Sequence, residues 1–170
     1  GERGWPKLTL AAWVRLDRIK APFHSIMHTD GWIARGGTDE SRWGQVHWTV
    51  TNRETIELAM AGNLALPEDD GRRGYPNSKA ATLSGQGHWR HLAAVYDADL
   101  STVRFYVNGA LNHVARLEKT LPAQLGPARI GNWDTEDRTL SGRIDELLIL
   151  GRVMSNEEIH ELYLSGNPYR

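Results

Sequence analysis

A two-residue period runs through most of this chain, and it constrains the fold more than any other feature. Leu8, Leu10, Ala12, Val14 and Leu16 alternate with Thr9, Ala11, Trp13 and Arg15. Val46, Trp48 and Val50 alternate with His47, Thr49 and Thr51, and Ile56, Leu58 and Met60 alternate with Glu57 and Ala59. Val103, Phe105 and Val107 alternate with Arg104 and Tyr106. Side chains on a strand point to opposite faces in turn, so this pattern predicts antiparallel strands with one face in a core. Asn108-Gly109 follows the last of them, and Asn-Gly between apolar runs predicts a type I′ hairpin. Trp89 to Asp97 and Ile144 to Leu150 read as buried strands.

One helix is signalled, at the end. Ser155 is the N-cap and Glu158 completes a capping box. Ile159, Leu162 and Tyr163 follow at helical spacing, with an acidic solvent side of Glu157, Glu158 and Glu161. Gly166 is expected as a left-handed stop, and Pro168 prevents resumption. A long connection from about Gly62 to Ala81 carries Pro67, Glu68-Asp69-Asp70-Gly71 and Pro76; structureless loops of that length are uncommon in compact domains and are often either lids over sites or disordered. Many short strands with one terminal helix predict an all-β, two-sheet antiparallel sandwich in a single domain over residues 1–170.

Composition removes several functions. The formal net charge is −1, and no basic stripe is visible, so nucleic-acid binding is not expected. Cysteine is absent, which removes thiol nucleophiles, thiolate metal sites and disulfides. The longest unbroken apolar runs, Leu10 to Val14 and Leu92 to Tyr96, are too short to insert in a membrane. No Gly-x-Ser-x-Gly elbow surrounds Ser84 or Ser141, and there is no phosphate-cradling glycine loop ending in Lys.

Five segments occur in a telling order: Leu10-Ala-Ala-Trp-Val-Arg-Leu-Asp17, Trp89-Arg-His-Leu-Ala-Ala-Val-Tyr-Asp97, Val103-Arg-Phe-Tyr-Val-Asn-Gly109, Ile130-Gly-Asn132, and Leu140-Ser-Gly-Arg-Ile-Asp-Glu-Leu147 with the helix after it. Together they resemble the LamG-like jelly roll of the concanavalin A-like lectin/glucanase superfamily. Asp30-Gly-Trp32, His47-Trp48 and Gly131-Asn-Trp133 resemble, more particularly, domains attached to FecR-type anti-sigma regulators of planctomycete-like bacteria. Relatives usually open with one or two further strands, so the resemblance implies a fragment of a longer protein, periplasmic or at the cell surface. It also implies a non-catalytic recognition domain whose partner is carbohydrate or, alternatively, another protein in an adhesive or structural contact. A gap left by a missing strand would favour an edge-paired dimer over a monomer.

The superfamily includes glucanases, whose Glu-x-Asp-x-x-Glu motif places carboxylates along one strand face. The nearest string here, Glu68-x-Asp70-x-x-Arg73, ends in Arg and lies in the long connection, so it reads as a solvated acidic turn and no enzyme is expected. Trp32, Trp43 and Trp133 sit beside polar residues in expected loops, where a ring either stacks on a sugar or plugs the end of the sandwich. His47 would contact ligand if its face lines a groove. Trp13 and Trp89 read as core. His28 and Asp30 share a strand face at metal-ligand reach, although a hydrogen-bonded His is the simpler reading, and His24 is placed on that same face. Asp145 beside a Leu-rich strand must be paired, hydrogen-bonded or metal-bound, with Arg129 and Arg143 as candidate partners. No cofactor is required. Calcium is the one candidate, because acidic rim residues bind it in relatives, with Asp145 and Asp30 as its ligands.

Overall fold

A computed structural model of the protein describes residues 4–32, 44–72, 74–79, 86–133 and 137–166, with the side chains of 70–72 left aside. Two antiparallel sheets form the sandwich that the alternation predicts. The larger contains β1 (Lys7–Leu16), β5 (Leu64–Ala65), β8 (Trp89–Asp97), β9 (Thr102–Val107), β10 (Ala110–Lys119) and β12 (Gly142–Leu150), in the order β12-β1-β8-β9-β10-β5. The smaller contains β2 (Phe23–Thr29), β3 (Val46–Thr51), β4 (Ile56–Met60) and β11 (Ala128–Ile130), in the order β11-β2-β3-β4. A third pair, β6 (Asp70–Arg72) with β7 (Tyr75–Pro76), lies inside the long connection. That connection also holds β5 and a 3-10 turn at Pro67–Asp69.

The core is built from the alternating residues. Leu8, Leu10, Leu92, Tyr96 and Phe105 from the larger sheet meet Trp48, Val50, Ile56, Leu58 and Met60 from the smaller, all buried. Each such side chain contributes roughly 1.5–3 kcal/mol of burial free energy. The other face of the smaller sheet and the middle of the larger are also covered, which alternation alone does not predict, whereas Leu111 and Val114 of β10 are exposed and β12, expected to be buried, is largely exposed or half-buried. Every residue of β2, β3 and β4 is buried. On the larger sheet the cover is helix α1 (Asn156–Ser165), whose Ile159 packs with Met154 onto Ala11, Ala93, Val95 and Tyr106. Trp13, one strand position from Ala12, therefore lies on this second face and not in the main core, and Trp89 is only half-buried at its strand end.

The turn chemistry follows the sequence. Asn108 and Gly109 have φ of 51° and 76°, as a type I′ turn requires. Ser155 Oγ accepts the Glu158 N–H, and the Glu158 carboxylate accepts the Ser155 N–H at 2.8 Å. Gly166 departs from expectation. Its φ is −90°, so it is not left-handed. A Cβ there would stand 2.1 Å from Glu146 Oε2 and 2.8 Å from Trp13 Nε1, so glycine is needed for close packing.

Candidate functional site

The site lies on the outward face of the smaller sheet and depends on an irregularity in β2. Pairing between β2 and β3 shifts between Ser25 and Met27, so one extra residue is accommodated. The bulge breaks the simple alternation. His24 stands opposite the inward-facing Val50, whereas Ser25 and His28 stand opposite the outward-facing Thr49 and His47. His24 and His28 are thus on opposite faces, contrary to the expectation from spacing. His24 Nδ1 donates to the Thr139 carbonyl at 3.2 Å instead. A row now crosses the outward face from β11 to β4: Arg129, His28, His47, Ala59.

The rings in this row stack. His28 and His47 lie 3.7 Å apart and 3° from parallel, and Trp32 lies on the other side of His47 at 3.7 Å and 25°. Trp133 meets the stack edge-on, 5.0 Å from His47 at 74° and 5.7 Å from His28 at 73°. Tyr75 approaches Trp32 edge-on at 5.8 Å. Both histidines are buried while Trp32 and Trp133 are half-buried, so the histidines form a pedestal beneath the indoles. Burial, aided by the Arg138 guanidinium, pushes the His28 imidazole down to about 3. His47 is held further below the ordinary histidine range by burial, then by His28 and Arg138. Both rings are neutral at physiological pH.

Arg138 is itself buried, with its guanidinium 4.6 Å over Phe23 and 4.2 Å over Trp133. Asn132 sets both partners of that contact, its Oδ1 accepting the backbone N–H of Trp133 at 2.8 Å and of Arg138 at 3.1 Å. His28 Nε2, His47 Nε2 and Trp133 Nε1 are buried and have no hydrogen-bond partner. The Ser25 hydroxyl stands 3.5 Å from His28 Nδ1. The two unpartnered imidazole nitrogens do not form a metal site. Imidazole lone pairs lie in the ring plane, and parallel planes 3.7 Å apart aim them at different points. No group of three or more His, Asp or Glu suited to a metal occurs among the described residues.

The residues singled out in the sequence are distributed as follows. Trp32, Trp133 and His47 come together, although His47 is under Trp32 and 2% exposed, so it supports the platform and does not form its surface. Asp30 lies at the rim, where its carboxylate accepts Arg129 Nε at 3.2 Å and its carbonyl accepts Gln45 Nε2 at 3.1 Å. Arg129 is therefore engaged by Asp30 and not by Asp145. Asp145 is exposed on the other sheet, in β12, and its Oδ1 accepts the Glu146 N–H at 2.9 Å. Of the two calcium candidates, Asp30 follows the end of β2 in the smaller sheet and Asp145 lies in β12 of the larger. Trp43 and Arg73 lie outside the described residues. Glu68 is half-exposed and ion-paired with Arg116 at 2.6 Å, but its neighbour Asp69 is buried, so this turn is an anchor more than a solvated loop. Two members of the site were missed. His28 enters the sequence reading only as a metal-ligand candidate beside Asp30 or His24, and Arg138 does not enter it. A nearby cluster of one Trp and several buried-strand polar residues was the available signal for both.

Beside the stack, the face continues as a buried polar surface. Thr51 and Thr55 hydroxyls are 2.7 Å apart, Thr55 donates to Asn77 Oδ1 at 2.8 Å, and Asn77 Nδ2 donates to Glu57 at 3.2 Å. Glu57 is the one carboxylate among the outward-facing residues of β2, β3 and β4, so these strands do not provide the paired carboxylates of a retaining glycosidase.

A family profile for the concanavalin A-like lectin/glucanases superfamily, Laminin_G_3, matches residues 6–160. The chain belongs to that superfamily. Among solved structures, this concanavalin A-like domain is similar to domain 4 of AbnA, an extracellular arabinanase of Geobacillus stearothermophilus seen with arabinotriose. The TM-score is 0.65 at 14% identity, covering 94% of this chain and 68% of that one. It is also similar to the CBM40 of the Ruminococcus gnavus IT-sialidase, with a TM-score of 0.64 at 14% identity over 94% of this chain and 84% of that one. A third similar structure is a Bacteroides ovatus protein proposed to bind carbohydrate, with a TM-score of 0.64 at 15% identity over 92% of this chain. The domain spans 40% of that protein's length. At these identities the likeness is one of fold. No curated protein sequence matches the chain. No described helix is long and apolar enough to cross a membrane.

Proposed function

We propose that this domain is a non-catalytic carbohydrate-recognition module, and that the Trp32–Trp133 corner on the outward face of the smaller sheet is where the sugar sits. The observation that carries this reading is the half-buried Trp32 indole lying flat on His47, with Trp133 standing edge-on to the same ring. A sugar ring stacks on an indole whose plane is fixed, and the stack fixes it. Asp30, Arg129 and Gln45 at the rim supply groups for hydroxyls. The similar folds of carbohydrate-binding modules support the reading. So does the corner itself, where the half-buried Trp32 and Trp133 stand beside the polar rim of Asp30 and Arg129. The resemblance of Asp30-Gly-Trp32 and Gly131-Asn-Trp133 to domains of FecR-type regulators supports a place within a larger extracytoplasmic protein.

A glycan array on this domain, followed by tryptophan fluorescence titration of the hits, tests the proposal. Binding should fall at least about tenfold, or about 1.4 kcal/mol, in Trp32→Ala and in Trp133→Ala. Repeating the titration with excess calcium and with chelator decides the role of Asp30 and Asp145 as ligands. Absence of binding under both conditions would favour the alternative of a protein contact, to be sought by pull-down with the other domains of the parent protein.

A further inference from the structure

The pedestal beneath Trp32 buries two basic groups beside a cation that is already there, the guanidinium of Arg138. Protonating either His28 or His47 would lay a cation against its neighbour at 3.7 Å. Among the described residues, the charged groups nearest to the pair are two arginines and two carboxylates, and each carboxylate is already engaged. From residues 137–140, Arg138 stacks over Trp133; from β11, Arg129 stands opposite His28. The carboxylate at the rim, Asp30, is held by Arg129 at 3.2 Å. From β4, Ala59 stands opposite His47, and Glu57, opposite Thr49, is engaged with Asn77. From their own strands, Ser25 and Thr49 offer only hydroxyls, and Trp32, Trp133 and Tyr75 offer rings. A charged imidazole here can regain water only if the stack comes apart.

The stack can part without unfolding the sandwich. The core side of the same strands, with Met27, Trp48 and Leu58, faces the other way and packs on the larger sheet. Trp32 is half-buried just beyond the end of β2, so its departure uncovers His47 without moving a strand. We propose that acidification releases the Trp32 platform: the His28–His47 stack takes up two protons together, separates, and dismantles the recognition face while the sandwich remains folded.

The size of the effect follows from linkage. An opened imidazole titrates near its ordinary value of about 6.5, while the stacked rings remain unprotonated at pH 4.5. Between pH 7.5 and 4.5 each histidine therefore favours the open form by ~100-fold, and the pair by ~10⁴-fold. Its consequence for a ligand rests on the carbohydrate reading; the opening itself does not.

The test is an NMR titration of the domain from pH 7.5 to 4.5, following histidine ring signals, the tryptophan indole N–H signals and the amides of β1 and β8. The expected result is one transition below pH 6 in which His28, His47 and the Trp32 indole change together, with a slope of two protons, while the β1 and β8 amides keep native positions. His28→Gln, which keeps a planar group but cannot take the proton, should reduce the slope to one. If that variant does not fold, the wild-type slope decides. Independent titration of the two rings near 6.5, a Trp32 signal that does not move by pH 4.5, or simultaneous loss of the β1 and β8 amides would each overturn the proposal. A glycan that binds at pH 7.5 should bind at least tenfold more weakly at pH 4.5, and unchanged affinity would count against it. If no glycan binds at pH 7.5, the carbohydrate reading fails and the ring titration still decides the switch.

Discussion

Asp69 accepts the Nε2–H of His113 at 2.9 Å, and the same carboxylate accepts the backbone N–H of Arg116 at 2.8 Å. This buried side chain ties the 3-10 turn at Pro67–Asp69 to β10 and so holds the connection that leads to β6, β7 and Tyr75. Burial acts to raise its proton affinity, but the bonds from Arg116 and His113 outweigh burial and hold the carboxyl below the ordinary Asp value.

Asp69→Ala should therefore destabilise the domain by about 2–3 kcal/mol, because it leaves two donors without their acceptor. The sign with pH is set by the lowered value. The contribution is present above about pH 4, and is lost as pH falls through the folded-state value. Urea denaturation of both proteins at neutral pH and near pH 3 should show a difference that narrows in acid. Equal stability at neutral pH would remove Asp69 from this role.

His91 gives a second pH dependence, on the helix-covered face of the larger sheet. It is buried against Trp13 and Tyr163, at 5.5 Å between Trp13 and His91 and 6.1 Å between His91 and Tyr163, and burial pushes it down to about 4. The unfolded chain binds this proton more readily. Stability is thus full above about pH 6.5 and declines as pH falls toward about 4, by roughly 2 kcal/mol at pH 5. His91→Gln should flatten that part of the pH profile measured by urea midpoints. An unchanged slope would show that the ring is charged or opens freely.

Gly142 shows where a glycine is fixed by space. A Cβ there would stand 1.9 Å from the Arg15 carbonyl oxygen, and the atom it meets is backbone in the neighbouring strand. Gly142→Ala should destabilise by about 3 kcal/mol and loosen β12 at its start. Gly126→Ala, where a Cβ meets nothing within 4 Å, should change stability by less than about 0.5 kcal/mol. Thermal melts of the pair decide this, and equal midpoints would contradict it.

Much of the sandwich was legible because its strands obey the two-residue period, and the hairpin and helix start because Asn108-Gly109 and Ser155…Glu158 use local chemistry. The site was less legible for a physical reason. The β2 bulge turns His28 onto the face of His47, and a bulge leaves the alternation of the neighbouring residues locally plausible in either register. Trp32 and Trp133 could be picked out as loop indoles. Their common support depends on contacts between segments about a hundred residues apart in sequence, Trp133 against His28 and His47 and Arg138 over Phe23, whereas the bonds of Asn132 are local. Gly166 was misread in its conformation because its tight neighbours, Glu146 and Trp13, belong to other strands.

The central claim is that Trp32, seated on His47, is a sugar platform. The most direct measurement is the affinity of wild type, Trp32→Ala and Trp5→Ala for the best glycan from an array at pH 7.5. Trp5 is exposed and packs beside Gly151, away from the stack. The account predicts binding in wild type and Trp5→Ala, with at least about a tenfold loss in Trp32→Ala. Undiminished binding by a folded Trp32→Ala would contradict it.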